Sequence, residues 1–129
     1  MTDSNPCMCD TGFDAITDIL LVDVSTATAY DYIAIGTGTS TPTRTDTTLE
    51  TEDQRAASTG TQETTQSTND TLQLVHTFSF GGAKTISEAG IINAAVGGAL
   101  LSHATFTGIS VTASDTLAVT YQILAQQGT

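Results

Sequence analysis

Basic residues are scarce in this sequence. Its 129 residues include 3 Lys and Arg side chains against 14 Asp and Glu, Lys84 is the one lysine, and the formal net charge is −11. Nucleic-acid binders gain much of their affinity from cations that neutralise phosphates, so the composition excludes a general binder of DNA or RNA. Molar salt shortens the Debye length to about 3 Å and screens the self-repulsion of such a chain. The composition therefore favours a halophilic host over an ordinary acidic protein.

Long apolar runs and tryptophan are also missing. A membrane-spanning helix needs about 20 apolar residues, and no run in this sequence comes close to that length, so we expect no membrane insertion. The N-terminal residues MTDSNPCMCD lack the basic and apolar regions of a secretory signal, so we expect synthesis in a cytoplasm. With no Trp, Tyr30, Tyr32 and Tyr121 would be the side chains on which a sugar could stack.

Cysteine occurs twice, as Cys7 and Cys9. Residues two apart rarely satisfy the geometry of a disulfide, and a metal site needs at least two further ligands. Symmetry-related copies could supply those ligands at an oligomer axis; otherwise the two residues are free thiols. We interpret residues 1–12 as an N-terminal arm and residues 13–129 as one β-sandwich domain.

Threonine is abundant, and β-branched side chains favour strands. Apolar residues alternate with polar ones over residues 72–80 and 117–123, which predicts two half-buried strands. Further strands are predicted at residues 30–35, 83–93 and 99–106. Short strands separated by glycine turns indicate an all-β fold, a β-sandwich of jelly-roll type.

Less regular segments complete the predicted fold. The spacing of apolar residues over 13–24 predicts a short N-terminal helix. Residues 49–57 form either a polar helical turn or an edge strand, and residues 59–68 either an exposed strand or a surface loop. Gly108 shifts the alternation by one residue, which predicts a bulge. Asp70 and Asp115 each precede a strand and are expected to close turns onto the backbone.

Residues 32–55, YIAIGTGTSTPTRTDTTLETEDQR, place a strand before a Gly/Thr loop. Gly36 and Gly38 allow positive φ angles, and Pro42 favours an extended backbone before it. The loop lacks the Gly-Lys-Ser/Thr ending of a phosphate-binding loop and an obvious helix after it. We therefore predict a structural turn.

Acidic residues cluster directly after this turn. Asp46, Glu50 and Glu52 are the candidate ligands for Ca²⁺ or Na⁺, but their spacing is not that of an EF-hand loop. We expect surface acids, with a salt bridge from Arg55 or Arg44 to the cluster. No metal and no cofactor is predicted.

Glu88 lies in an otherwise apolar stretch. If it is buried, it needs a cation or backbone donors. Besides histidine, the candidate cations are Arg44, Arg55 and Lys84, and Arg55 is the predicted partner. His76 and His103 are the two histidines. Neither has the spacing of a metal site or of a recognisable catalytic triad, so no catalytic residue is predicted. Gly90 marks a bulge or a close backbone approach.

Four segments in this order carry a family resemblance: residues 32–55, then NDTLQLVHTFSF, ISEAGIINAAVGGALLSHATF and SDTLAVTYQI. Together they resemble small structural proteins of tailed bacterial and archaeal viruses, including the attachment domain at the N-terminus of phage tail fibres. The sequence departs from the pattern at Ile92, where an aromatic residue is usual. The matching positions are Gly36, Gly38, Pro42, Asp46, Leu49, Glu52, Arg55, Glu88, Gly90 and Asn93.

The resemblance implies a β-rich, non-enzymatic virion component. Such a protein would assemble as a symmetric homo-oligomer with other capsid or tail proteins, either as a capsid decoration or turret protein or as a tail-associated adaptor. Gly36, Gly38, Pro42, Arg55, Glu88 and Gly90 would have structural roles. The N-terminal arm and residues 13–24 are the candidates for docking. The alternative is a stand-alone module that binds glycans or a cell surface.

Overall fold

The computed structural model describes residues 7–20 and 28–125 of the chain. In these two ranges the elements are β1 (Cys7–Met8), α1 (Asp10–Leu20), β2 (Tyr32–Gly36), β3 (Glu52–Ala57), β4 (Thr59–Glu63), β5 (Thr71–Ser79), β6 (Lys84–Ile92), β7 (Leu100–Val111) and β8 (Thr116–Leu124). The helix does not have the length and apolar character needed to cross a bilayer, and no other described segment is such a helix.

The strands form two antiparallel sheets. The five-stranded sheet has the order β1-β7-β6-β2-β3, and the three-stranded sheet has the order β4-β5-β8. Ser58 alone separates β3 from β4, so the chain passes from one sheet to the other within a single residue. The predicted all-β, sandwich-like fold with a short N-terminal helix is confirmed.

The core lies between the two sheets because alternation directs one face of each strand inward. Burying a large aliphatic or aromatic side chain contributes roughly 1.5–3 kcal/mol, so this layer is the main source of stability. Its members include Ile33, Ile35, Leu74, Phe78, Phe80, Ile86, Ile91, Leu101, Val119 and Tyr121.

Several predicted elements differ in their bounds. The helix begins at Asp10 rather than Phe13, and the end predicted for it falls in residues 21–27, outside the described ranges. Part of the predicted arm is strand β1, which pairs with β7. The edge-strand alternative for residues 49–57 is correct, because β3 ends the five-stranded sheet. β4 is the exposed strand expected within residues 59–68.

The bulge predicted near Gly108 is present in β7. Ile86 pairs with Ile109, whereas Glu88, two residues on, pairs with Thr105, so β7 carries extra residues at this point. A Cβ atom on Gly108 would also overlap the side chain of Thr85. The bulge changes which alternate residues of β7 face the core, as the sequence pattern predicted.

Turn closure by aspartate occurs three times with one geometry. In each turn the carboxylate accepts the N–H of the residue three positions earlier, and the aspartate N–H donates back to that residue's carbonyl. The pairs are Thr43 with Asp46, Ser67 with Asp70, and Thr112 with Asp115, with carboxylate contacts of 2.9, 2.7 and 2.8 Å. The turns predicted at Asp70 and Asp115 are therefore confirmed.

Candidate functional site

Residues 37–51, here called the covering loop, lie over the outer face of the five-stranded sheet. The Thr37 N–H donates to the Thr51 carbonyl at 3.0 Å and closes the base of the loop. Leu49 is 5% exposed and packs beside Ala34 and Leu100, in a second apolar cluster outside the main core. The covering loop therefore has an apolar anchor of its own.

A fully buried carboxylate lies beneath the covering loop. Glu88 is 0% exposed. Its Oε2 accepts the N–H groups of Gly38 at 2.9 Å and Thr51 at 2.7 Å. Its Oε1 accepts the N–H of Glu50 at 2.9 Å and contacts His103 Nε2 at 2.9 Å. Three backbone N–H groups and one ring nitrogen of His103 therefore surround the carboxyl group, and these hydrogen bonds offset the cost of burying it.

His103 joins Glu88 to a second carboxylate. The ring is 2% exposed, and its Nδ1 lies 2.7 Å from Oδ2 of Asp46. Each ring nitrogen of His103 is therefore hydrogen-bonded to one carboxylate. Partial burial opposes ionisation of Asp46, but the Thr43 N–H and His103 outweigh it and lower the pKa of the Asp46 carboxyl group. We call Glu88, His103, Asp46 and the three loop N–H donors the Glu88 clamp.

Gly36 and Gly38 make room for this carboxylate. Neither has the positive φ angle that glycine permits; among the described glycines, positive φ angles occur at Gly97 and Gly98. A Cβ on Gly36 would lie 2.7 Å from Glu88 Oε2 and would overlap the Thr51 carbonyl, and one on Gly38 would also overlap the Glu88 carboxylate. These two glycines are required by a close approach, not by backbone conformation.

The resemblance to a phosphate-binding loop has a structural explanation. Backbone N–H groups of the covering loop do bind anions, but the anions are carboxylates of the same chain. Glu50 accepts the N–H of Thr39 at 2.7 Å and of Ser40 at 3.1 Å, and the Ser40 hydroxyl as well. The hydroxyl and the backbone donors together lower the pKa of Glu50. Glu88 takes the Gly38 N–H in the same way.

Arg55 does not pair with Glu88, so that prediction is wrong. Its guanidinium makes a bidentate contact with Glu52 at 2.7 Å and donates to the carbonyls of Ala94 and Gly97 at 2.9 Å. The bond with Glu52 raises the pKa of Arg55. The Glu88 carboxyl group has its partners in the covering loop and His103 instead. The predicted salt bridge between Arg55 and the acidic cluster is confirmed.

Arg44 fixes the covering loop to the start of the helix. Its side chain pairs with Asp10 at 3.0 Å, and its carbonyl accepts the Asp10 N–H at 2.8 Å. Thr11, in the same first turn, donates to the Leu100 carbonyl at 2.5 Å. The loop, the helix and β7 are therefore held together at one place.

The acids proposed as metal ligands have separate partners. Asp46 bonds Thr43 and His103, Glu50 bonds the Ser40 region, and Glu52 pairs with Arg55. Within the described ranges no three or more His, Cys, Asp or Glu side chains form a group that could hold a metal ion. Asp46, Glu50 and Glu52 therefore do not form one ligand set in this arrangement.

The two cysteines flank the same region. Cys7 is half-buried in β1, directly across from His103 of β7. Cys9 is buried against the second apolar cluster. Burial, with the negative charge of Asp46 next in effect, raises the pKa of the Cys9 thiol to about 11. Cys9 therefore has the character of a packing residue rather than a reactive thiol.

The positions that carry the family resemblance converge in space. Glu88, Gly38 and Asp46 belong to the Glu88 clamp, and Gly36 lies against its carboxylate. Leu49 packs on Gly90, where a Cβ would lie 2.9 Å from Leu49 Cδ2. The remaining positions extend this region. Pro42 is half-buried within the covering loop, and Arg55, held by Glu52, donates to the carbonyls of the 94–97 turn. Asn93 accepts the Ala99 N–H at 2.7 Å and donates to Thr28 at 2.8 Å.

An apolar groove of ≈ 530 Å³ opens between the sheets beside the helix. On the outer side of the helix, Phe13 is 52% exposed and Ile16, which also lines the groove, is 40% exposed. The lining of the groove includes Met8, Ile16, Tyr30, Leu72, Leu101 and Ile123.

The tyrosines and His76 have structural surroundings. Tyr121 is 3% exposed, and its hydroxyl lies 2.8 Å from Ser102 Oγ. It is therefore unavailable for the sugar stacking that the sequence allowed. Tyr30 packs against the core and Tyr32 is half-buried in β2. The ring of His76 packs edge-on against Phe78 with centroids 4.7 Å apart.

No protein-family model, curated protein or solved structure matches this chain.

Proposed function

We propose that this protein is a non-enzymatic structural component of a tailed-virus particle. Symmetric copies would lie on the capsid surface as a decoration or turret protein, or on the tail as an adaptor. The observation that carries the proposal is the convergence of the resemblance positions on one region of the fold. Residues far apart in the sequence, such as Gly36, Asp46 and Glu88, hold one loop on one sheet.

The chemistry of the Glu88 clamp supports a structural role. Glu88 and His103 are both buried, and both ring nitrogens of His103 are already hydrogen-bonded. A general base needs a ring nitrogen within reach of a substrate proton. A nucleophile needs a neighbouring base to activate it. The clamp offers neither, whereas a rigid loop on a rigid sheet suits a subunit that must present a constant surface.

The helix is the proposed contact with a neighbouring particle protein. Phe13 and Ile16 are exposed on it, and Ile16 also lines the apolar groove. Exposed large apolar side chains that border an apolar concavity are typical of protein contact surfaces. Replacing Phe13 and Ile16 by Ser should reduce incorporation into particles without lowering the melting temperature, since neither belongs to the core between the sheets.

The proposed host is a halophilic archaeon. A net charge of −11 on 129 residues would be screened in molar salt. The chain would be made in the host cytoplasm and would end in the virion, without nucleic acid or membrane as partner.

Mass spectrometry of purified particles tests the proposal. Particles of the virus that encodes this chain are banded in a density gradient, washed in molar salt and digested. With 3 basic residues, trypsin leaves few usable fragments, so an Asp-directed protease is preferable. We expect the chain at a molar amount comparable to that of other particle proteins. Its absence from washed particles would overturn the proposal, and retention of the isolated protein on a glycan array would favour the binding-module alternative.

A further inference from the structure

Among the described residues the two sheets end in four edge strands, and three of them are protected. An edge strand presents unpaired N–H and C=O groups to any other strand, and proteins block such edges with shortness, charge or a bulge. β1 has 2 residues and covers β7 at Ser102 and His103, and the rest of the outer side of β7 carries the bulge near Gly108. β3 carries Glu52, Asp53 and Arg55. β4 has 5 residues, with Gly60 inside it and Glu63 at its end.

The fourth edge, β8, has none of these protections. Its 9 residues, TLAVTYQIL, include no charge, proline or glycine. One side pairs with β5 along the whole strand, from Thr116 opposite Ser79 to Leu124 opposite Thr71. The other side has no strand partner among the described residues, since β8 ends the order β4-β5-β8. Roughly four or five of its residues therefore point their N–H and C=O groups away from the sheet.

The solvent face of β8 is also neutral. Thr116, Ala118, Thr120 and Gln122 are exposed along it. The sequence contains no charged residue from Thr116 to Thr129, in a chain of net charge −11. Two copies of such a chain repel each other at most surfaces, but at this edge they can approach without placing acid against acid.

We propose that β8 pairs antiparallel with β8 of a second copy across a two-fold axis. Antiparallel pairing of a strand with its own copy is isologous, which means that both subunits use the same edge. Each β8 edge is then paired, and the assembly stops at a closed dimer. The result is a continuous six-stranded sheet with the order β4-β5-β8-β8-β5-β4. Centred on Thr120, the pairing brings Thr116 opposite Leu124 of the second copy and Thr120 opposite its own counterpart.

This inference deepens the proposed function, because it names one contact by which copies would assemble, but it does not depend on the particle. A single strand pair buries less than the roughly 1,200 Å² of a standard stable interface. The dimer in solution should therefore be concentration-dependent, and a particle that holds many copies close together would strengthen it.

Charge substitutions at Thr120 test the pairing. Thr120→Lys and Thr120→Glu each place like charges opposite one another across the axis, where they destabilise pairing. Mixing the two variants places Lys opposite Glu. Thr61→Lys and Thr61→Glu are the matched controls, because Thr61 is exposed on β4, at the protected edge of the same sheet. All proteins are compared by sedimentation at the lowest salt at which the wild-type circular dichroism is unchanged.

We expect the wild-type mass to rise with concentration from 13.3 kDa toward twice that value. Each Thr120 variant alone should weaken dimerisation at least about tenfold, the mixture should recover it, and the Thr61 variants should match the wild type. A wild-type chain that stays monomeric at several hundred micromolar overturns the inference. The inference is also overturned if the Thr120 variants dimerise as strongly as the wild type, or if the Thr61 variants weaken dimerisation as much as the Thr120 variants do. If the isolated protein is monomeric but the chain is found in particles, the strand pairing is refuted and the virion role is not. If the isolated protein dimerises but the chain is absent from particles, the virion role is refuted and the pairing is not.

Discussion

Replacing Glu88 by Gln perturbs the Glu88 clamp with the smallest change of shape. The amide has one acceptor oxygen where the carboxylate has two. If its NH₂ group takes the place of Oε2, it faces the N–H groups of Gly38 and Thr51. If it takes the place of Oε1, it faces the Glu50 N–H and His103. In the first orientation the N–H groups of Gly38 and Thr51 lose their acceptor, and in the second the Glu50 N–H loses its acceptor.

The expected cost follows from the number of stranded donors. A buried donor without a partner costs about 1–3 kcal/mol. With one or two donors stranded, we expect Glu88→Gln to lower the free energy of unfolding by about 2–4 kcal/mol. With about 2.1 cal/mol/K of unfolding entropy per residue, this corresponds to a fall in melting temperature of roughly 7–15 °C.

Glu63→Gln is the matched control. It makes the same chemical change and removes the same charge, but Glu63 is half-exposed at the end of β4, where it accepts from Thr61 and Gln73. We expect it to cost less than about 1 kcal/mol. Thermal and urea unfolding, followed by circular dichroism in molar salt, give both values. A Glu88→Gln variant that unfolds within about 1 kcal/mol of Glu63→Gln would refute the claim that the clamp holds the loop.

Four further outcomes are expected. Gly36→Ala should destabilise the fold by about 2 kcal/mol or more because its Cβ overlaps the Thr51 carbonyl, whereas Gly81→Ala, with nothing within 4 Å of its Cβ, should be nearly neutral in the same melts. The pKa of Asp70 is lowered: burial opposes this, but the Ser67, Thr65 and Gln66 N–H groups outweigh it. Its stabilisation should be present above pH ~4 and lost as the pH falls through the folded pKa, and Asp70→Asn should flatten that decline in unfolding titrations. At pH 8 a thiol reagent should label Cys7 in the native protein and Cys9 only after unfolding, and rapid native labelling of both would contradict the packing described for Cys9. Raising NaCl from 0.1 M to 2 M should increase the melting temperature, and an unchanged value would remove the support for a halophilic host.

The sequence predicted the two strands with clean alternation well. Residues 72–80 and 117–123 have a period of two over their whole length, and the pattern is set by burial on one face. The bulge near Gly108 was predictable for the same reason, since a shift in parity leaves a direct trace in the order of apolar residues. The helix start was less predictable, because Arg44 helps to fix it at Asp10 from a distant part of the chain.

The clamp was only half predictable. A buried Glu88 demanded donors, and backbone N–H groups were one of the expected kinds. The partner His103 was missed because its signal is hairpin register rather than local spacing. β6 and β7 are consecutive antiparallel strands, and Gly90 pairs with His103, so counting back across the 93–99 turn places His103 diagonally opposite Glu88. The register of the hairpin also depends on a bulge at Ile91–Ile92, which short-range sequence patterns do not reveal.

The roles of Gly36 and Gly38 could not be read from the sequence for a related reason. Glycine signals either an unusual φ angle or a close approach, and the choice depends on what faces it. Here the facing group is the Glu88 carboxylate, which enters from a strand 50 residues further on in the case of Gly38. Only the assembled sheet brings the two together.

Electron cryo-microscopy of the intact particle tests the central claim most directly. At a resolution that separates strands, we predict repeated symmetric copies of a density with an antiparallel five-stranded sheet packed on a three-stranded one, located on the capsid surface or the tail. A particle map in which every surface and tail density is accounted for by other chains would contradict the account.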